Sequence, residues 1–323
     1  MIHYVIRRVL WAFVLFIAVT IVTYIIFFII PADPARAVAG RNPTPQMIES
    51  ARHYLGIDRP VYVQYARFLK RLVVDQDLGR SFQNRESVNS EVGKAAPVTA
   101  SLVFGGVVLW MLIALPIGIL SALRPRTIMD RATMTFVLIG ISASPIWIGL
   151  ILTYFFSYKW RLTPISGYCD FFNPSAGAEC GGPVQWAYHL ILPWMTFALV
   201  NAALYVRMIR ANMLEAMNED YVRTARAKGA PESRVVRAHV LRNALLPIVT
   251  MLGMDIGFAL GGAVFTESIF SLPGMGRTSV NALNALDLPT VQGIVVFATI
   301  AIIVFNLLVD LLYAWIDPRI RLA

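Results

Sequence analysis

Phosphate-cradling glycine loops are missing from this sequence. No Gly-x4-Gly-Lys-Ser/Thr string occurs, so the chain carries no nucleotide-hydrolysing site of that kind. No His-Glu-x-x-His occurs, and the four histidines, His3, His53, His189 and His239, are dispersed. Clustered titratable groups, which a membrane-embedded enzyme needs near one face, are absent. A nucleophile elbow would need Gly-x-Ser-x-Gly. The nearest stretch, Gly140-Ile141-Ser142-Ala143-Ser144-Pro145, lacks it. Two cysteines, Cys169 and Cys180, are too few for a disulfide scaffold and show no metal-ligand spacing. Charge is scarce as well: Asp, Glu, Lys and Arg make up 15% of 323 residues. An ordinary soluble domain carries about a quarter.

Apolar residues fill the space, at 57% of the chain and a mean hydropathy of +0.64. They come in uncharged blocks long enough for a ~30 Å hydrocarbon core, which takes about 20 helical residues. The blocks predict an all-α polytopic membrane protein with six spans. The first lies within residues 1–30, and the others near 98–123, 132–157, 186–206, 246–266 and 288–315. A signal peptide cut after Ala37-Val38-Ala39 is the rival reading of the first block. The run Val9–Ile30 is about twice the usual signal-peptide core, which favours a retained helix.

The formal net charge of +9 could suggest nucleic acid. Orientation in a membrane explains it better. Two short outer loops hold three Arg or Lys, and the inner segments hold fifteen. Both termini, including the tail 317–323, are therefore expected inside. Residues 31–94 are long enough to escape this count. They read as a small external subdomain with helical spacing over Thr44–Tyr54 and Val61–Val74. His53 there has no second ligand nearby and reads as a surface or packing residue. A second outer loop, Lys159–Gln185, holds both cysteines on one membrane face. A disulfide and two free thiols are both open readings. His189 reads as an interfacial packing residue.

Three polar features stand out within the blocks. Asp255 sits near the middle of the fifth, where an acid must face protein or water. It reads either as a pathway residue or as an interhelical hydrogen-bond partner. Ser142 and Ser144, beside Pro145, suit a kink lining a pathway. Glu267 opens a turn-rich string ending in Pro273-Gly274-Met275-Gly276-Arg277.

The inner loop 208–245 organises the rest. Arg210, Arg223, Arg226, Lys228, Arg234, Arg237 and Arg242 crowd it, with Arg207 just ahead. Glu219 and Asp220 open a short helix, Arg226 and Lys228 close it, and Gly229 with Pro231 stop it. Acids first, bases last and a terminal glycine complement the helix dipole and supply a left-handed cap. Small residues near its end, Ala225, Ala227 and Gly229, would let another surface approach the backbone.

The strings Asp220-Tyr221-Val222-Arg223-Thr224-Ala225-Arg226-Ala227-Lys228-Gly229 and His239-Val240-Leu241-Arg242-Asn243-Ala244-Leu245-Leu246-Pro247 resemble the EAA loop of ABC importer permeases, in the dipeptide/oligopeptide/nickel branch. Arg223-Thr224-Ala225 stands where Glu-Ala-Ala is usual, a departure associated with the peptide branch. Leu55-Gly56-Ile57-Asp58-Arg59-Pro60, Asp77-Leu78-Gly79-Arg80-Ser81, Glu267 to Arg277 and Asp317-Pro318-Arg319 are similar to the same branch. The resemblance implies a type I permease core over residues 95–316 in a bacterial plasma (inner) membrane. It implies a coupling helix formed by Glu219, Asp220, Tyr221, Arg223, Thr224, Ala225, Arg226, Lys228 and Gly229; the small-residue face with flanking charge then places Tyr221, Ala225 and Gly229 in the buried contact and Arg223 and Arg226 at its rim. The partners implied are a second permease subunit, one or two ATPase subunits that hold ATP and Mg, and an external substrate-binding protein. Membrane lipid and a peptide substrate complete the set, with no cofactor in this chain and no nucleic acid. Asp255, Ser142, Ser144 and Glu267 are the pathway candidates. An ion-coupled carrier working through Asp255 is the competing class.

Overall fold

A computed structural model describes residues 2–26, 35, 44–55, 60–172 and 180–316, and among these residues no strand forms. A lipid environment dictates this. Backbone amides and carbonyls must be satisfied within the segment, which an α-helix does. The helices in chain order are α1 (Ile2–Tyr24), α2 (Pro45–Leu55), α3 (Val61–Val73), α4 (Val88–Leu123), α5 (Ile128–Ser142) and α6 (Pro145–Leu152, continued as a π turn through Lys159). Then follow α7 (Pro183–Met217), α8 (Asp220–Ala227), α9 (Glu232–Ala244), α10 (Leu246–Leu260), α11 (Val264–Ile269), α12 (Met275–Asn284) and α13 (Leu288–Ile316).

Four helices, α1, α4, α7 and α13, are long and apolar enough to cross a bilayer unbroken. Two bent pairs bring the number to six if each crosses once: α5 with α6 at 103°, and α9 with α10 at 42°. The expected span 132–157 is thus broken rather than straight. Ala143 has extended backbone, Ser144 caps α6 by accepting from Ile146 N at 3.3 Å, and Pro145 opens that helix. Proline disfavours helical geometry in the residue before it, so the chain turns here. The expected span 246–266 stops at Leu260, because Gly261-Gly262 follows and Gly262 takes φ +135.

α4 starts at Val88 and α7 runs to Met217, with 36 and 35 residues. At about 1.5 Å per residue each is over 50 Å long. Both are therefore much longer than a ~30 Å core needs.

α4 and α7 form the central pair. Glycines on α4 let α7 rings come close: a Cβ on Gly106 would lie 2.5 Å from Phe197, and Gly105 faces the Trp194 ring. Trp194 Nε1 donates to Ser101 O at 2.9 Å. Trp110, itself buried, packs on Phe197 and Tyr205 with ring centroids 5.6 and 5.5 Å away. α10 meets α13 through Gly253, Gly257 and Gly261, spaced by four along one face. A Cβ on Gly257 would be 2.9 Å from Ile302 Cα, and one on Gly261 2.8 Å from Ala298 Cβ. Such small-residue seams suit membranes, where packing rather than water expulsion joins helices. α1 lies at the edge with most of its surface open, as a lipid-facing helix should.

The segment between α1 and α4 packs on the C-terminal end of α1 and the N-terminal part of α13. Tyr24 of α1 meets Phe68 and Tyr65 of α3 at 5.6 and 5.7 Å, and Val296 of α13 closes the cluster. Tyr24 Oη donates to Gln64 at 2.9 Å. The string Asp77-Leu78-Gly79-Arg80-Ser81 forms a turn with Gly79 at φ +97. That turn delivers Ser81 Oγ and Phe82 N to the buried Asp287, 2.5 and 2.8 Å away, just ahead of α13. Residues 31–34, 36–43, 56–59 and 317–323, with the cleavage string Ala37-Val38-Ala39 and the tail Asp317-Pro318-Arg319, lie outside the described residues.

Gly257→Ala should loosen the α10–α13 seam and lower stability by about 1–3 kcal/mol, read as an earlier melting transition in detergent. Gly93→Ala serves as the control, because a methyl there meets nothing within 4 Å. An unchanged melting point for Gly257→Ala would mean that the seam gives way without cost.

Candidate functional site

The end of the bundle where α7 passes into α8 carries a built-up polar assembly. α7 ends at Met217 and, one short turn later, α8 begins at Asp220. Glu219 occupies the N-cap position, Asp220 the first turn, Arg226 the last, and Gly229 follows at φ +79. This is the helix grammar read from the sequence. Val222 and Ala225 turn inward, both buried, and join Val235 and Val240 of α9 in the main core. The expected placement of Ala225 in an outward contact is therefore corrected: it seats α8 on its own chain. Tyr221, 38% exposed, borders an open groove of about 310 Å³ walled by Asn212, Glu215, Glu219, Asn243 and Pro247. The exposed residues of α8 and its end are Asp220, Tyr221, Arg223, Thr224, Arg226, Ala227 and Lys228. Gly229 has nothing within 4 Å of a built Cβ, so its backbone angle alone calls for glycine.

Arg226 forks onto Glu232, with Nε and Nη2 donating at 3.1 and 2.6 Å, and so clips α8 to the start of α9. Those hydrogen bonds hold the Glu232 carboxyl below its ordinary range and raise the Arg226 guanidinium. Both side chains are solvent-exposed, so the clip orients more than it stabilises. Arg223 and Asp220 stand 3.6 Å apart and exposed, a contact worth little.

About two turns of helix before the end of α7 lies a pair that sequence reasoning missed. Asp130, in the first turn of α5, is 4% exposed. Arg210 of α7 donates to both its oxygens, Nε to Oδ1 at 2.6 Å and Nη2 to Oδ2 at 2.8 Å. Ser121 of α4 and the backbone N of Arg126 complete the shell at 2.5 and 2.8 Å. Three long helices are thus tied together where α7 leaves for α8. The signal was present: Asp130 is the one acid in the basic turn Arg124–Arg131, spaced from Thr127 as an N-cap pair.

The pathway candidates separate. Ser142 and Ser144 are exposed at the α5–α6 break and line an open concavity of about 630 Å³ with Leu138, Ile139, Ala143 and Trp147. Asp255 accepts from Tyr205 Oη at 2.6 Å, so it joins α10 to α7, the interhelical reading of that acid. Glu267 is fully buried, enclosed by donors from α4 and from its own loop. Oε1 accepts from Thr99 Oγ1 at 2.8 Å and Ala263 N at 3.2 Å, and Oε2 from Arg277 N at 2.9 Å. Thr99 Oγ1 in turn accepts from Met275 N at 2.8 Å. A Cβ on Gly274 would fall 2.5 Å from the Glu267 carboxyl carbon. The string Glu267 to Arg277 is thus a knot closed around one carboxylate. Between α6 and α7, Cys169 and Cys180 form a disulfide. His189 contacts that disulfide rather than packing alone, its Nδ1 3.2 Å from Cys169 Sγ.

Together these features define a polytopic helical membrane component with a short helix, α8, seated on its own chain where α7 ends. Residues 114–322 match the family described as "Binding-protein-dependent transport system inner membrane component", and residues 1–103 match its N-terminal companion. The chain belongs to that family. It is 40% identical, over 98% of its length and 97% of the relative, to "Probable D,D-dipeptide transport system permease protein DdpB" of Escherichia coli K12. It is 37% identical, over 99% of both chains, to "Dipeptide transport system permease protein DppB" of the same strain. It is 39% identical, again over 99% of both, to "Di/tripeptide transport system permease protein DppB" of Pseudomonas aeruginosa UCBPP-PA14. The protein is a permease of a binding-protein-dependent transport system, and an inner membrane component.

Removing one partner of a buried, hydrogen-bonded ion pair leaves the other charge stranded. Asp130→Ala should therefore destabilise the chain by about 3 kcal/mol, measured as thermal unfolding in detergent. Arg210→Lys should recover only part of the pair, since an ammonium cannot reproduce the two-pronged contact. Wild-type melting in Asp130→Ala would remove the pair from the structural argument.

Proposed function

We propose that this chain is one of two permease subunits of an ATP-driven importer of short peptides in a bacterial inner membrane. Its termini face the cytoplasm, and it is driven through α8 by a separate ATPase that holds ATP and Mg. The observation that carries the reading is the seat of α8. A short helix is bolted by Val222, Ala225 and the Arg226–Glu232 clip to the inner end of the bundle, with its other face free. A helix that is rigid on one side and open on the other is suited to receive force. The contact face consists of Tyr221, Arg223, Thr224, Ala227 and Lys228, with Glu219, Asp220 and Gly229 setting its ends. Peptide as the substrate class rests on the names of the three relatives.

The route inward runs from α8 through Glu219 and Asn218 into α7. From α7 the Arg210–Asp130 pair passes the force to α5, and Tyr205–Asp255 passes it to α10. α5 ends at the break lined by Ser142 and Ser144, where the path for substrate is proposed. An ion-coupled carrier working through Asp255 is the less favoured reading, because one oxygen of that carboxylate is already engaged by Tyr205.

Purifying the tagged chain in mild detergent should bring down a second permease and a nucleotide-binding ATPase, with ATPase activity in the eluate. Recovery of the chain alone, without that activity, would sink the importer reading. Gly229→Leu should insert and fold, since nothing crowds the position, yet abolish peptide transport. A left-handed angle costs a branched residue about 1–2 kcal/mol and would unseat the end of α8. Normal transport by that variant would place the contact elsewhere.

A further inference from the structure

We infer that the cleft between the N-terminal half of α1 and the C-terminal half of α13 is a binding site for one anionic phospholipid, which wedges the edge helix against the bundle. The cleft holds about 160 Å³, and in it Arg8, Trp11, Ala12 and Leu15 of α1 face Ile303 and Asn306 of α13. The two helices run in opposite directions here. Tyr24 clusters with Val296, whereas Arg8 shares the cleft with Asn306. Ala12 opens the hollow, because it puts a methyl group where its neighbours Trp11 and Leu15 are bulky.

The lining changes along the cleft as a lipid changes along its length. Arg8 lies at one end and the exposed Trp11 about a turn deeper. A long cation with an indole below it marks the level where membrane meets water. Ala12, Leu15 and Ile303 continue the cleft as apolar surface. From Arg8 to Leu15 the helix rises about 10 Å, more than the roughly 5–8 Å of a headgroup layer. The cleft therefore takes in a lipid head and the start of an acyl chain. Asn306 is half-buried in this apolar stretch, and its amide makes no hydrogen bond among the described residues. An unanswered amide is costly in hydrocarbon. The ester carbonyl of a glycerolipid accepts from its Nδ2.

Charge selects the head. Arg7 and Arg8 lie on α1, and the only acid in either helix is Asp310 of α13, so two cations stand against one anion. Arg8 already has an interaction within the chain. Its guanidinium carries five N–H donors, so it serves a phosphate as well, forking onto two oxygens. Basic pockets between membrane helices take anionic lipid heads in this way. A zwitterionic head would set its own cation beside the arginines. Another protein helix, about 10–12 Å across with its side chains, is too broad for this hollow, whereas one acyl chain is not.

The test titrates the full chain, purified in detergent with the subunits that accompany it, against phosphatidylglycerol and phosphatidylcholine of the same acyl chains. Native mass spectrometry counts the bound lipids. One phosphatidylglycerol should bind roughly fivefold more tightly than phosphatidylcholine, the preference that a single net cation near the membrane surface supplies. Arg7→Gln/Arg8→Gln should erase that preference. Asn306→Leu, which keeps both charges, should weaken both lipids alike. Ala12→Leu should fill the hollow and remove the site for both, while melting like the parent in lipid-free detergent. The inference is overturned if the parent binds the two lipids alike, if Ala12→Leu keeps its phosphatidylglycerol, or if soluble glycerol phosphate displaces the lipid, which would leave only an anion site. A lipid bound by the isolated chain and lost once its subunits assemble would likewise overturn it, giving the cleft to a subunit.

Discussion

Everything in this molecule hangs on the interlock of α4 and α7. In lipid no expelled water drives helices together, so contact must come from shape. Gly105 and Gly106 create a hollow that the Trp194 and Phe197 rings fill, and Trp110 closes over it. These side chains are bulky and stiff, which sets the register of the two helices along their length. α7 then positions everything beyond it: the outer loop at its start, the Tyr205 bond to α10 in its middle, the Arg210 bond to α5 near its end, and α8 after that.

The polar atoms inside the bundle follow one pattern. Each buried acid singled out above is surrounded by donors from more than one element. Asp130 draws on α4, α7 and the turn before α5. Glu267 draws on α4 and its own loop, and Asp287 on the external segment and α13. Unpaired, such groups would be costly at low dielectric. Satisfied, they specify which parts meet, because no other arrangement supplies the same donors. The apolar seams hold the bundle together, and the acids fix where its ends are tied.

What could be read in advance follows the range of the forces involved. The spans were legible because burial in lipid demands long apolar runs. α8 was legible because its caps and charges act within one turn, and Gly229 does take the left-handed angle. Long-range partners were not. Asp130 pairs with a residue 80 positions away and Thr99 with one 168 away, and nothing local marks those pairings. Ala225 was misread for a related reason: a small residue shows that something comes close, not which side it comes from. Glu267 sat in a turn-rich string that suggested exposure, whereas the turns exist to wrap the carboxylate. The Ser-Pro break in the third span could be seen as a kink, but its 103° could not.

The length of α7 has a mechanical meaning. A 35-residue helix is a rod of about 52 Å, and its only internal proline, Pro193, lies near the outer end. If such a rod pivots by roughly 10° about its middle, its inner tip travels about 4–5 Å. That is close to one helical pitch, and it is reached without bending the helix or breaking a hydrogen bond along it. The helix thus has the geometry of a lever arm: a slight change of angle among packed side chains becomes a displacement of several ångström at α8.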